Sequence, residues 1–133
     1  MLNLKVLSPE KTVLNITCNA VTMPSSEGQI TVYPRHAPIY TLMTYGELIA
    51  HTDKGDVSLA IGPGFAEINA TSVTVLTNYG VSSDEIDAAR AQEAKARAEE
   101  IIKSRSSEMD LALAQVELTR SLVELKLVSK RKG

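Results

Sequence analysis

The chain changes character at Ser82–Asp84. All five Pro, six of the seven Gly, all four Tyr and the single Phe lie before that point. After it no Gly or Pro occurs until Gly133. Gly and Pro are the strongest local punctuation a chain carries. Residues 1–82 are therefore cut into short segments, which suits strands and turns, whereas residues 83–133 can run on as helix.

Size and charge narrow the classes. A chain of 133 residues allows a small domain with an appendage. The first 82 residues can support a core of their own, but the tail alone buries too little to be a domain. The formal charge is −2, from 14 basic and 16 acidic side chains, which does not indicate a nucleic-acid binder. Residues 1–82 carry 4 basic and 6 acidic groups, and residues 83–133 carry 10 of each. The final stretch is basic, with Lys126, Lys130, Arg131 and Lys132. Cys18 is the only cysteine, so no intramolecular disulfide forms, and its apolar setting suggests a buried, inert thiol. No signal-peptide pattern opens the chain, and no apolar run approaches a membrane span. The expectation is a soluble, non-secreted protein that can still dock on a membrane assembly.

The front part reads as a series of short strands. Leu2–Leu7 alternates, Ser8-Pro9-Glu10 turns, and Val13–Val21 alternates again as a half-buried strand. Pro24–Gly28 reads as a loop, Gln29–Tyr33 as extended, and Pro34–Pro38 as a rigid connection. Ile39–Thr44, Glu47–Thr52, Val57–Ile61, Phe65–Asn69 and Val73–Thr77 follow, separated by turn signals. This spacing fits an antiparallel sandwich or flattened barrel.

The tail reads as two helices, about 84–103 and 107–130, with a bend at Ser104–Ser107. Ser83 or Asp84 can cap the first, and Asp84, Glu85 and Asp87 suit the positive end of its dipole. Its apolar stripe is narrow: Ala91, Ala94, Ala98, Ile101 and Ile102. The second helix carries two stripes. Leu111, Ala114, Leu118, Leu122 and Leu125 share one side; Met109, Ala112, Leu113, Val116, Val123 and Leu127 share another, nearly opposite. An ordinary surface helix has one apolar face, so two faces imply two neighbours. The first helix can cover one. The other is covered by the β domain or meets a different protein, and the residues leave both open.

No catalytic constellation is present in the sequence. His36 and His51 have no ligand partner at metal spacing, and Gly62-Pro63-Gly64 is too short for a phosphate loop and lacks its Lys. Asp53 and Asp56 lie in a turn as solvated carboxylates. One patch stands out: Asp84, Asp87, Arg90 and Arg97, in which the two arginines are seven apart and share a helix face. Two guanidiniums can clamp phosphates. Read from the residues alone, the patch is a solvated helix with i,i+3 ion pairs.

Taken in order, several segments form a known pattern: Gly28-x-Ile30-x-x-x-Pro34-x-His36-x-Pro38, Gly46-Glu47-Leu48, Gly62-x-Gly64-Phe65-Ala66-Glu67, Val73-Thr74-Val75-Leu76, and Ile86-Asp87-x-x-Arg90-Ala91. Over essentially its whole length the chain resembles the F-type ATP synthase epsilon subunit family, of bacterial or chloroplast type. The resemblance implies a β + α fold: an antiparallel β-sandwich of about ten strands over residues 1–82, then an antiparallel two-helix hairpin over residues 83–133. It implies a non-catalytic rotor subunit in the central stalk of a proton-translocating ATP synthase, coupling ring rotation to the catalytic head. The gamma subunit and the c-ring are the partners implied for the sandwich, with contacts at Glu27, Gly28, Ile30, Arg35 and His36. The hairpin is implied to inhibit ATP hydrolysis when extended, with Arg120, Lys126 and Lys130 meeting the catalytic beta subunit.

The resemblance requires no cofactor and no metal, but it allows regulatory ATP on the hairpin. Asp87 and Arg90 match the family's nucleotide motif, Arg97 is in register, and Asp84 and Arg120 fit nearby positions. An ATP-sensing module is thus the alternative function. Leu113 and Glu124 fall where ATP-binding relatives carry further basic residues, so weak binding or none is expected. Thr31-Val32-Tyr33 also departs from the usual run before Pro34. The implied location is peripheral, on the cytoplasmic face of a bacterial membrane or the stromal face of a thylakoid. Membrane attachment comes only through the complex.

Overall fold

The computed structural model describes residues 1–104 and 107–132. The chain divides into two compact units, Met1–Ser83 and Asp84–Gly133. The first unit holds ten strands: β1 (Leu2–Leu7), β2 (Thr12–Cys18), β3 (Ala20–Ser25), β4 (Gly28–Val32), β5 (Ile39–Met43), β6 (Gly46–Thr52), β7 (Gly55–Ile61), β8 (Gly64–Ile68), β9 (Ser72–Thr77) and β10 (Gly80–Ser82). Their hydrogen-bonded order is β10-β7-β6-β3-β5-β8-β9-β1-β2, with β4 paired to β3. β2 also lies beside β10 and β6, so the sheet folds back on itself as a near-barrel sandwich.

Alternation builds the core. Leu2, Leu4 and Val6 of β1, Val73 and Val75 of β9, and Ala66 and Ile68 of β8 all point inward. They join Val21, Met23, Val32, Met43, Leu48, Leu59 and Ile61 in one buried cluster. Successive side chains on a strand face opposite ways, so residues between these positions reach the outer surface. Cys18 belongs to the same cluster and is fully buried, as its apolar neighbours suggested.

Some details depart from the sequence reading. Val13–Val21 is two strands, because the chain turns over at Asn19, where Asn19 N donates to His51 O at 2.7 Å. Pro24 and Ser25 lie in β3 rather than in a loop; Pro24 keeps an acceptor role, taking Thr44 N–H on its carbonyl at 3.0 Å. β10 is a three-residue strand with too little sequence to show a period. One ladder is parallel, β1 with β9; the other strand pairs are antiparallel.

Gly64 shows why β8 begins where it does. A Cβ there would stand 1.9 Å from the Leu76 carbonyl oxygen and 2.8 Å from Thr77 Cα. Only glycine lets β8 and β9 approach so closely.

A 3-10 turn at Ser83–Glu85 runs across the boundary between the units, and the second unit holds α1 (Ala88–Lys103) and α2 (Glu108–Lys132). The helix starts later than Asp84. Asp87 is the N-cap, in an extended conformation, and its carboxylate accepts the backbone N–H of Arg90 at 3.1 Å. The 3-10 turn consumes the residues expected as the first helical turn. The two helices pack on each other, with small buried residues on both: Ala91 and Ala98, and Ala114 and Ser121. The expected bend at Ser104–Ser107 falls partly on Arg105 and Ser106, outside the described residues.

Candidate functional site

Cross-strand register assembles an apolar row on the outer surface of the sandwich. Leu42 pairs with Phe65, Phe65 with Leu76, and Leu76 with Leu7. The row crosses β5, β8, β9 and β1, about 15 Å at strand spacing. Leu42 is 64% exposed, Phe65 43% and Leu76 40%. Beside it runs a second row with polar members: Tyr40 pairs with Glu67, Glu67 with Thr74, and Thr74 with Lys5. Tyr40 is itself 70% exposed. An apolar strip edged by a carboxylate and an ammonium is the composition of a protein-binding surface. None of Leu42, Phe65 or Leu76 was singled out as a contact from sequence. Each alone is an unremarkable exposed residue, and only the pairing of three strands joins them.

The residues expected as rotor contacts do not lie together: Ser26 N–H donates to Leu42 O at 2.9 Å, which seats the β3–β4 turn beside the Leu42 end of the row, whereas Arg35 lies beyond the opposite end of β5. Ser26 and Glu27 form the two-residue turn of the β3–β4 hairpin, and Gly28, at φ 118°, opens β4. Ser25 holds the tip: its hydroxyl donates to Gly28 O and accepts Glu27 N–H at 3.3 Å. Glu27 and Gly28 are exposed, and Ile30 is half-buried against the core. Arg35 is exposed in a left-handed conformation, φ 70°, and its N–H donates to Ala70 O at 2.8 Å. His36 is exposed, with Nδ1 2.7 Å from Ala37 O.

On the hairpin, Asp84, Asp87, Arg90 and Arg97 are exposed. Asp87 is committed to capping, so its carboxylate already holds a backbone N–H. Arg97 is committed too: Nη2 donates to Glu117 Oε1 on α2 at 2.7 Å. Glu117 carried no signal in the sequence, because an interhelical partner twenty residues away follows from the register of the hairpin and not from local spacing. Arg120 is half-buried and engaged in interactions of its own, as are the exposed Lys126 and Lys130. Of the second apolar stripe on α2, Met109, Leu113 and Val116 are exposed at 74%, 64% and 38%, while Leu127 is buried.

The titratable groups of the sandwich serve the fold. His51 Nδ1 lies 3.0 Å from Asp56 Oδ1, and Nε2 lies 2.8 Å from Thr22 Oγ1, which is 3.0 Å from Thr31 Oγ1. An ionised carboxylate only accepts, so Nδ1–H donates to Asp56. These four side chains tie β4, β3, β6 and β7 together. Asp53 accepts from Asn19 Nδ2 at 2.8 Å. Asp53 and Asp56 are therefore partnered rather than merely solvated. Burial pushes the Cys18 thiol up from its ordinary pKa, partly offset by a hydrogen bond to the Ala20 backbone and by the N-terminal charge.

Comparison with known proteins covers both units. The family described as ATP synthase, Delta/Epsilon chain, beta-sandwich domain matches residues 1–82, and the ATP synthase, Delta/Epsilon chain, long alpha-helix domain matches residues 84–129. The ATP synthase epsilon chain of Herpetosiphon aurantiacus is 37% identical over 134 residues, covering 99% of this chain and 97% of that protein. That of Chloroflexus aggregans is 32% identical over 131 residues, covering 98% and 94%. A chain in the structure of the Euglena gracilis mitochondrial ATP synthase superimposes with a TM-score of 0.77 at 23% identity, covering 89% of this chain and 75% of that one. That last likeness is one of fold.

Proposed function

The chain belongs to the ATP synthase delta/epsilon chain family, as a chain of epsilon type, and on that premise we propose that it is a non-catalytic part of the rotor. Its sandwich grips the gamma subunit and sits against the c-ring, so that ring rotation is passed to the catalytic head. The observation that carries this reading is the exposed Leu42–Phe65–Leu76 row. A rotor subunit must hold its shaft through a face that the isolated chain leaves uncovered, and apolar rows edged by charge serve that purpose. The exposed β3–β4 turn with Glu27 and Gly28 is polar and suits the c-ring, and Arg35 and His36, at the other end of β5, are further rotor contacts. Among the described residues no helix is long and apolar enough to cross a membrane. In this reading the chain is held at the cytoplasmic face of a bacterial membrane through the complex.

The helical unit is the regulatory element. Met109, Leu113 and Val116 leave an apolar stretch of α2 exposed, available for a second partner when the hairpin extends. In the extended state α2 inhibits ATP hydrolysis, and Arg120, Lys126 and Lys130 meet the catalytic beta subunit. The test is ATP hydrolysis by the reconstituted complex, with the full chain and with a chain ending at residue 83. Faster hydrolysis with the shortened chain, and co-purification of both forms with gamma, are expected. Equal hydrolysis rates would remove the regulatory half of the proposal.

A second reading is supported by Arg90 and Arg97, which stand exposed on one side of α1 two helical turns apart. They offer a phosphate clamp for ATP on the hairpin. Saturable ATP binding that is lost in Arg90→Ala is the expected sign.

A further inference from the structure

The nucleotide reading, on which this inference rests, meets an acidic counterpart on α2. Glu117 holds Arg97 at 2.7 Å. Seven residues span two helical turns, about 10.5 Å on either helix. In an antiparallel pair that brings position 97 level with 117, position 90 lies level with position 124. Position 124 is a glutamate. Glu117 and Glu124 thus share one side of α2, as Arg90 and Arg97 share one side of α1. Arg120 lies between the two glutamates on that side of α2 and offsets part of their charge, and Asp87 adds a further carboxylate at the start of α1.

We propose that Glu117 and Glu124 are a built-in anion for the arginine pair and determine how weakly this hairpin takes phosphate. A polyphosphate must displace the Glu117 carboxylate from the Arg97 guanidinium, since both need the same fork of donors. It must also approach Glu124 while reaching Arg90. Both carboxylates act on the same ligand, so their removal adds up.

The test is calorimetric titration of the full chain with MgATP and, separately, with inorganic tripolyphosphate. The variants are Glu117→Gln, Glu117→Gln with Glu124→Gln, and Glu117→Gln with Arg97→Ala. Removing one negative charge within a Debye length of a triphosphate changes affinity by about fivefold. Glu117→Gln should tighten both ligands by that factor and the double glutamine variant further, while adding Arg97→Ala should cancel the gain. Affinity for Glu117→Gln within twofold of the parent, a gain that survives loss of Arg97, or no saturable binding by any variant would overturn the proposal. If the parent binds ATP through Arg90 yet Glu117→Gln is no tighter, the nucleotide reading stands and this inference fails. If the variants gain tripolyphosphate binding with no preference for ATP, this inference stands and the nucleotide reading fails.

Discussion

Replacing Leu42, Phe65 and Leu76 together by threonine should detach the sandwich from its shaft partner and leave its own fold intact. Threonine keeps the branched shape that strands favour, and all three side chains already point away from the core. Full burial of a leucine or phenylalanine is worth about 1.5–3 kcal/mol. With 64%, 43% and 40% of these side chains left exposed, covering the remainder contributes about 1 kcal/mol each, or about 3 kcal/mol for the row. At about 1.4 kcal/mol per tenfold, the triple variant should bind gamma about a hundredfold more weakly. Titration of purified gamma into the variant measures this directly, and thermal unfolding of the variant alone checks the fold. Affinity within threefold of the parent, at an unchanged Tm, would refute the assignment of the row as the gripping surface.

Gly64→Ala should be severe: relieving a 1.9 Å contact with the Leu76 carbonyl separates β8 from β9, at a cost of about 4 kcal/mol, read as a Tm lower by about 20 °C. Asp87→Ala removes the cap on α1 and should destabilise that helix by about 1 kcal/mol, visible as faster amide exchange over the first turn of α1 while the β-sheet amides are unaffected. The Cys18 thiol is raised by burial. The unfolded chain therefore loses that proton first, and stability from this group, complete at neutral pH, falls as pH rises through the alkaline range. Cys18→Ser should flatten that alkaline slope, and in the parent the thiol should react with a thiol reagent only as fast as the sandwich opens.

How much could be read in advance depended on how far apart the interacting residues lie. The short strands from Ile39 to Thr77 show in the sequence because turns such as Asp53-Lys54-Gly55 act locally. Both helices show because nothing after Ser83 interrupts them. The start of α1 does not follow from residue type, because Asp84 and Asp87 are equally good caps, and only the 3-10 turn at Ser83–Glu85, which takes in Asp84, decides for Asp87. The apolar row was hidden for another reason. Leu42, Phe65 and Leu76 come from three strands, and a shift of one residue in either ladder would turn a member of the row inward. The carboxylate facing Arg97 was hidden likewise, since Glu117 meets it only through the packing of two helices.

The position of β1 sets the order in which the sandwich can be made. β1 lies between β9 and β2, and its parallel ladder joins Asn3–Leu7 to Ser72–Leu76. A chain emerging from the ribosome from its N-terminus has the β1–β2 hairpin long before β9 exists. Its inward residues Leu2, Leu4 and Val6 must wait with no neighbour on one side. Pairs of distant segments are slow to form because loop closure precedes any gain. The nascent chain therefore carries an open strand edge for most of its synthesis, and that edge closes only after residue 76 has left the exit tunnel. A ribosome stalled soon after residue 72 is inserted should present the sandwich unclosed, with β1 as the segment most exposed to chaperones or to mispairing with another chain.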